Sequence, residues 1–357
     1  ADGAGNVVSG NFRYGISIVD GGNNVIQGNL VGTDISGSDS IPNAKVGTTT
    51  DAPIFIANSS NNLVGGSTAG ARNIVSGNAP SLGGISIAYE GSTGNRVQGN
   101  YVGTDISGTE VLGFGGVTIA FGASGNFIGV DGDGINDDRE GNVIVGVLAN
   151  RNLGRNVNVS GDNNVIAGNN IGRKVSGTAQ FENDFGITVS GSGNRVGTNA
   201  DGTSDELDRT LIVSNKLGLE LGGTDNVVAG NWIGLDANAQ PLKNNTGILV
   251  RSAATGNLIG SNADGLRDAV ERNVISANGV GVQIVDAAID NVLAGNYIGT
   301  DPSGTIDLGN ETYGVLLSRN AGNTIGGTRP GAGNVISGND LTGIRMQASD
   351  TLVQGNF

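Results

Sequence analysis

The sequence contains neither cysteine nor histidine in its 357 residues. Disulfide bonds and thiolate metal sites are therefore excluded, and the commonest general base and metal ligand of proteins is missing. Charged residues make up only 15% of the chain, and the excess of acidic over basic ones gives a formal net charge of −14. Because no basic stripe is present to neutralise phosphates, we expect no nucleic-acid partner.

Longer patterns are missing as well. No run of 18 apolar residues occurs, so the sequence predicts no membrane span. No segment keeps a 3.6-residue apolar period, which argues against the crossover helices of an ordinary α/β sheet. The chain also lacks a G-x-S-x-G elbow and a carboxylate pair at glycosidase spacing, so neither nucleophilic catalysis nor glycoside hydrolysis is indicated.

A repeated phrase fills the chain instead. The pattern G-I-x-I, followed seven to ten residues later by Asn-x-(Val/Ile/Leu), recurs eleven times with a mean period of about 33 residues. Its copies open at Ile16, Ile54, Ile85, Val117, Val157, Ile187, Leu219, Ile248, Val282, Val315 and Ile344. Repetition without a linker or a change of composition indicates one structural unit stacked on itself.

Each copy predicts short strands rather than helices. Pairs such as Ile85 and Ile87 put both aliphatic side chains on one face of a strand, and glycine and asparagine separate the strands. Short parallel strands joined by tight turns wind into a solenoid whose coils lie about 4.8 Å apart. A right-handed sense is expected for parallel crossovers.

The asparagine of each copy is predicted to be structural. A stack of side-chain amides, each paired with those of the neighbouring coils, would account for its recurrence, whereas a catalytic residue is needed only once. This predicted ladder comprises Asn24, Asn62, Asn95, Asn126, Asn164, Asn194, Asn226, Asn257, Asn291 and Asn323, with Thr351 in the last copy.

Two kinds of coil alternate, N-V-I-Q-G-N-x-V-G-T-D-x-S-G (as at 24–37) and N-x-I-G-G with a loop before N-V-I-S-G-N (as at 323–339). On these motifs the chain resembles the right-handed parallel β-helix repeat proteins, which include pectate-lyase-like enzymes, phage tailspikes and bacterial surface adhesins. The resemblance implies an all-β, right-handed parallel β-helix of about eleven coils in a single elongated domain over 1–357. Both ends fall inside a repeat, so we expect a segment of a longer array without its caps.

Three acidic loops are candidate cation sites, at 130–140, 199–209 and 262–272. The densest set, Asp131, Asp133, Asp137 and Asp138, could surround a hard cation such as calcium, although the order of an EF-hand is absent. The alternative is that parts of these loops are single capped helical turns lying over a coil.

Two further sets are candidates for sugar chemistry. Tyr101, Trp232 and Tyr297 recur at one outward position and could stack on a polysaccharide, or the G-T-D-x-S-G loops could fold back and cover them. Arg173 and Lys174 interrupt the repeat and could supply the base that polysaccharide lyases of similar fold need. Local sequence drift is the alternative for this pair.

These observations favour a non-enzymatic, extracellular, adhesive or structural solenoid of a large cell-surface protein or fibre. Exposed coil ends would pair with other copies or flanking segments, with end-to-end assembly into filaments as one outcome, and surface polysaccharide is a further expected partner. The alternatives are a carbohydrate-active β-helix, either a polysaccharide lyase or a glycan-binding module, and a phage tail fibre or spike. No cofactor is required in the main interpretation, and calcium is the one optional ligand.

Overall fold

The fold is built almost wholly from short parallel strands. The computed structural model describes residues 5–43, 52–78, 83–108, 110–113, 115–146, 154–172 and 183–357. Within these residues the strands form three parallel sheets of eleven strands each, and successive coils add one strand to every sheet. The predicted parallel β-helix is confirmed.

We number the sheets in the order in which the chain enters them. Sheet I consists of Val7–Val8, Leu30–Val31, Ile74–Val75, Tyr101–Val102, Val143–Ile144, Asn170–Ile171, Leu211–Ile212, Trp232–Ile233, Val274–Ile275, Tyr297–Ile298 and Val335–Ile336. Sheet II consists of Ile16–Val19, Ile54–Ala57, Ile85–Ala88, Val117–Ala120, Arg155–Val159, Asn183–Val189, Asn215–Leu221, Thr246–Val250, Val280–Val285, Tyr313–Ala321 and Thr342–Ser349. Sheet III consists of Val25–Ile26, Leu63–Gly65, Arg96–Gln98, Phe127–Gly129, Val165–Ala167, Arg195–Gly197, Val227–Ala229, Leu258–Gly260, Val292–Ala294, Thr324–Gly326 and Leu352–Gln354.

The chain divides into two compact units, residues 1–187 and 188–357. Each unit contains coils with a strand in all three sheets, and the boundary falls within the sheet II strand Asn183–Val189. We describe each unit by itself. The sequence-based assignment of one domain over 1–357 stays a prediction.

The aliphatic residues of the repeat are in register and face the interior of each unit. In the first unit the paired positions are Ile16, Ile54, Ile85, Val117 and Val157. In the second unit they are Leu219, Ile248, Val282, Val315 and Ile344. Most of these side chains are fully buried, because alternation along a strand turns every second residue inward.

The predicted asparagine ladder stands where the chain turns into sheet III. The side-chain oxygen of Asn62 accepts hydrogen bonds from the backbone N–H and the Nδ2 of Asn24, at 3.0 and 2.9 Å. The same double contact runs from Asn62 through Asn164 in the first unit and from Asn194 to Asn323 in the second. The ladder is thus confirmed as a structural element.

Two further ladders, which the sequence analysis did not predict, stand where the chain turns into sheets I and II. The first follows Asn6, Asn29, Asn73, Asn100, Asn142 and Asn169 in one unit, and Asn231, Asn273, Asn296, Asn334 and Asn356 in the other. The second follows Asn11, Asn43 and Asn78, and then Asn215, Asn244, Asn278, Asn310 and Asn339. Amide stacks therefore occur at all three corners of a coil.

Helical structure is limited to single turns in the longer loops of the described residues. Two are 3₁₀ turns, Ala69–Ala71 and Asp137–Arg139, and one is an α-helical turn, Asp268–Glu271. All three lie between a sheet III strand and the following sheet I strand. Among the described residues, no helix has the length and apolar character that crossing a membrane requires.

The inward register predicts where truncation costs stability. Ile87→Ala and Ile166→Ala each remove a fully buried side chain and leave a cavity, so we expect losses of about 2–5 kcal/mol in the free energy of unfolding. Val25→Ala, in an exposed sheet III position, is the matched control and should cost under about 0.5 kcal/mol. Denaturant unfolding measures all three, and equal losses would contradict the register.

Candidate functional site

Loop 130–140 brings three carboxylates together. One oxygen each of Asp131, Asp137 and Glu140 lies within 4.8 Å of the others, and we call these residues the carboxylate triad. The 3₁₀ turn Asp137–Arg139 returns the chain towards the strand end at Gly129, which places Glu140 beside Asp131. Of the four predicted ligands, Asp131 and Asp137 belong to the triad. Glu140 was not among the four.

The other two predicted ligands lie outside the triad. Asp133 Oδ1 accepts a hydrogen bond from the backbone N–H of Ile135 at 2.7 Å. Asp138 is exposed, and its carboxylate lies 3.4 Å from Nε of Arg139. Each therefore has a local partner away from the point at which the triad converges.

Burial and mutual repulsion dominate the electrostatics of the triad. Desolvation, followed by the negative charge of Asp131, raises the pKa of Glu140 to about 7. Asp137 is only 3% exposed, and its Oδ1 has no hydrogen-bond partner among the described residues. One cation compensates part of the charge, because Nε of Arg96 lies 2.6 Å from Oδ2 of Asp131.

Glu140 also forms part of the wall of a cavity of about 710 Å³ in the first unit. We call this cavity the glutamine pocket. It is lined by Gln27, Leu63, Gln98 and Glu140 and by the loop at 66–71. The loop is held by its own 3₁₀ turn, in which a threonine hydroxyl caps the first turn.

The two glutamines of the pocket differ in their hydrogen bonding. Nε2 of Gln27 donates to the carbonyl oxygen of Gly65 at 2.9 Å. Nε2 of Gln98 is buried and has no acceptor within the part of the chain that the structure describes. Because a buried amide donor without a partner costs about 1–3 kcal/mol, Gln98 marks a position where a ligand oxygen would be stabilised.

The predicted aromatic row lies under arginine side chains. The guanidinium carbons of Arg72, Arg209 and Arg272 stand 4.0, 4.3 and 4.1 Å from the ring centroids of Tyr101, Trp232 and Tyr297 respectively. These contacts are close enough for cation–π stabilisation. Glycan stacking on the three rings stays a prediction.

In the second unit, the turn that follows one of these rings also packs against it. A Cβ atom built on Gly304, in the G-T-D-x-S-G-like turn, would come within 2.7 Å of the Tyr297 ring. Such contact agrees with the alternative in which the loops cover the rings. Arg173 and Lys174, the other sequence candidates, lie outside the described residues.

No protein-family model matches the sequence, and no curated protein matches it. Among solved structures the chain is similar to a mutant of the periplasmic alginate epimerase AlgG, with a TM-score of 0.51 and 13% sequence identity. The similarity covers 95% of this chain and 70% of that one. The chain is a right-handed parallel β-helix. At this identity the likeness shows the fold alone.

The raised pKa of Glu140 predicts how the stability of this β-helix depends on pH. A carboxyl group whose folded pKa of about 7 exceeds its unfolded value of 4.5 contributes stability below pH 4.5 that is lost as the pH rises through 7. In metal-free buffer we therefore expect the free energy of unfolding to fall between about pH 4.5 and 7, the interval between the unfolded and the folded pKa of Glu140. The Glu140→Gln variant, which stays neutral, should show a smaller fall.

Asp138→Asn is the control for this experiment, because it removes an exposed charge from the same loop. It should keep the pH dependence of the wild-type protein. Urea unfolding at a series of pH values measures the effect. An unchanged pH dependence in Glu140→Gln would show that Glu140 is ionised to the same extent in the folded and unfolded chains.

Proposed function

We propose that the protein is a carbohydrate-active β-helix whose glutamine pocket holds a sugar unit of an extracellular polysaccharide. The observation that carries this proposal is the buried Nε2 of Gln98, which has no acceptor among the described residues. A sugar hydroxyl or ring oxygen supplies the missing acceptor. Binding then removes a cost that the free protein carries.

The size and lining of the pocket support a sugar ligand. Its volume of about 710 Å³ lies in the range of small-molecule sites, roughly 300–1,000 Å³. Leu63 and the alanines of loop 66–71 offer apolar contact to the C–H face of a sugar ring. Gln27, Gln98, Thr68 and Glu140 provide polar groups for its hydroxyls.

Comparison between coils indicates that Gln98 is not needed for packing. Gln98 is the residue that follows the buried aliphatic of a sheet III strand in the first kind of coil. Three later coils of that kind carry alanine at this position, namely Ala167, Ala229 and Ala294, whereas the last one carries Gln354. The fold thus accepts a methyl group where Gln98 buries a long amide at an entropic cost.

The structural neighbour supports the substrate class. That protein is a periplasmic epimerase of alginate, which is a polysaccharide. We therefore favour a carbohydrate role and an extracellular or cell-surface location for this chain. A purely adhesive or structural solenoid is the competing hypothesis, since it requires no sugar in the pocket.

Calorimetric titration with defined oligosaccharides, both neutral and alginate-derived, tests the proposal. We expect one class of oligosaccharide to bind at one site per chain, and Gln98→Ala to weaken that binding about fivefold to tenfold, as loss of one neutral hydrogen bond does. Gln354→Ala, which changes the same motif position in the second unit, is the matched control and should bind as the wild-type protein does.

Two outcomes would contradict this proposal. One is that none of the oligosaccharides binds, and the other is that Gln98→Ala and Gln354→Ala bind equally well. If binding is found, ultraviolet absorbance of unsaturated products after incubation with the polymer distinguishes a lyase from a binding module. The proposed sugar site requires only binding.

A further inference from the structure

We propose that the carboxylate triad of loop 130–140 binds one divalent cation of the calcium class. This inference does not depend on the proposed sugar site. It rests on the convergence of three carboxylates, on an unpartnered buried oxygen, and on a comparison with the two related loops of the same chain. Glu140 also borders the glutamine pocket, but Asp131 and Asp137 do not line it.

The spacing of the triad suits a calcium ion. Calcium takes oxygen ligands at about 2.3–2.6 Å, so two oxygens on opposite sides of one ion lie about 5 Å apart. The oxygens of Asp131, Asp137 and Glu140 lie within 4.8 Å of one another. When all three carboxylates are ionised, they and the guanidinium of Arg96 leave two negative charges, which a divalent ion neutralises.

Asp137 provides the second observation. Its side chain is 3% exposed, and Oδ2 accepts one weak hydrogen bond from the N–H of Gly134 at 3.2 Å. Oδ1 is buried without a hydrogen-bond partner in the described parts of the chain. Burying a carboxylate oxygen with neither a donor nor a cation is costly, and a bound metal ion would remove that cost.

Loop 262–272 is related to loop 130–140, and its buried glutamate is stabilised by local hydrogen bonds. Asn262 stands where loop 130–140 has Asp131, two residues after the sheet III strand. Oε2 of Glu271 accepts hydrogen bonds from Oγ of Ser261 at 2.8 Å and from the N–H of Asn262 at 3.0 Å. The equivalent of the serine in loop 130–140 is Val130, which has no side-chain donor.

Loop 199–209 is neutralised in a third way. Asn199 again replaces the aspartate, and Oδ2 of Asp205 lies 2.8 Å from Nη1 of Arg267. Loop 130–140 therefore differs from both of these loops in the same way. It has one more carboxylate and one fewer side-chain hydroxyl donor. The exchange removes one internal hydrogen-bond donor and adds a carboxylate ligand, and both changes favour a bound cation.

Calorimetry on the EGTA-treated chain of residues 1–357 with calcium chloride tests the inference, with magnesium chloride as the comparison. We expect one calcium ion to bind per chain, with a Kd of about 1 mM or below, since extracellular calcium modules bind at about 0.1–1 mM. We also expect a higher melting temperature in calcium. Asp131→Asn should weaken calcium binding at least tenfold. Asn199 and Asn262 show that the loop accepts this residue.

Asp138→Asn is the matched control in the same loop and should bind calcium as the wild-type chain does, since Asp138 lies outside the triad. Absence of calcium binding and of any change in melting temperature up to about 10 mM, tenfold above the weak end of such sites, would overturn the inference. So would equal calcium affinity in Asp131→Asn and Asp138→Asn.

Arg96→Gln supplies a test in the opposite direction. Removing the guanidinium frees Asp131 and takes away a positive charge, so calcium affinity should rise by about threefold or more. Unchanged or weaker binding in this variant would place the ion elsewhere. Gln98→Ala should leave calcium binding intact, so that failure of the sugar site and failure of the cation site are distinguishable.

Discussion

The fold depends on how the backbone is satisfied at the corners of each coil. Where the chain leaves one sheet and turns into the next, its buried N–H and C=O groups lose their strand partners. Asn95 shows the solution: its side-chain oxygen accepts from the backbone and Nδ2 of Asn62, and its own Nδ2 donates to Ser59 O and Asn126 Oδ1. Three such ladders fix the coil period, so insertions are confined to the loops between them.

The sequence predicted the sheet III ladder and the interior because both have a constant local signature. An asparagine two residues before an aliphatic one recurs whatever the loops do. The sheet I ladder was not predicted, although its asparagines lie in the repeated motif of the coils, as in Val97-Gln98-Gly99-Asn100. Loops of different lengths separate its members by 22 to 44 residues, which hides the period from a search at fixed spacing.

Two of the three residues of the carboxylate triad were predictable from the sequence. The density of acidic residues pointed to Asp131 and Asp137. The distances between the carboxylates depend on the turn Asp137–Arg139, which brings Glu140 back to the strand end.

The sequence also contains a signal from which the arginine contacts of the aromatic row could have been predicted. An arginine precedes the sheet I ladder position one coil before each of Tyr101, Trp232 and Tyr297. Where Gly141 replaces that arginine the next coil carries Asn170, whereas Gly333 is followed one coil later by Phe357.

Repetition also separates what the fold needs from what it tolerates. In the first unit, departures from the repeat collect between sheets III and I, at loop 66–71, Gln98 and loop 130–140, and they border one cavity. Several coils of the second unit carry alanine or a self-compensated loop at the same positions. A buried amide and a buried carboxylate without a partner each cost about 1–3 kcal/mol or more. At Gln98 and Asp137 the proposed sugar and cation would offset this cost.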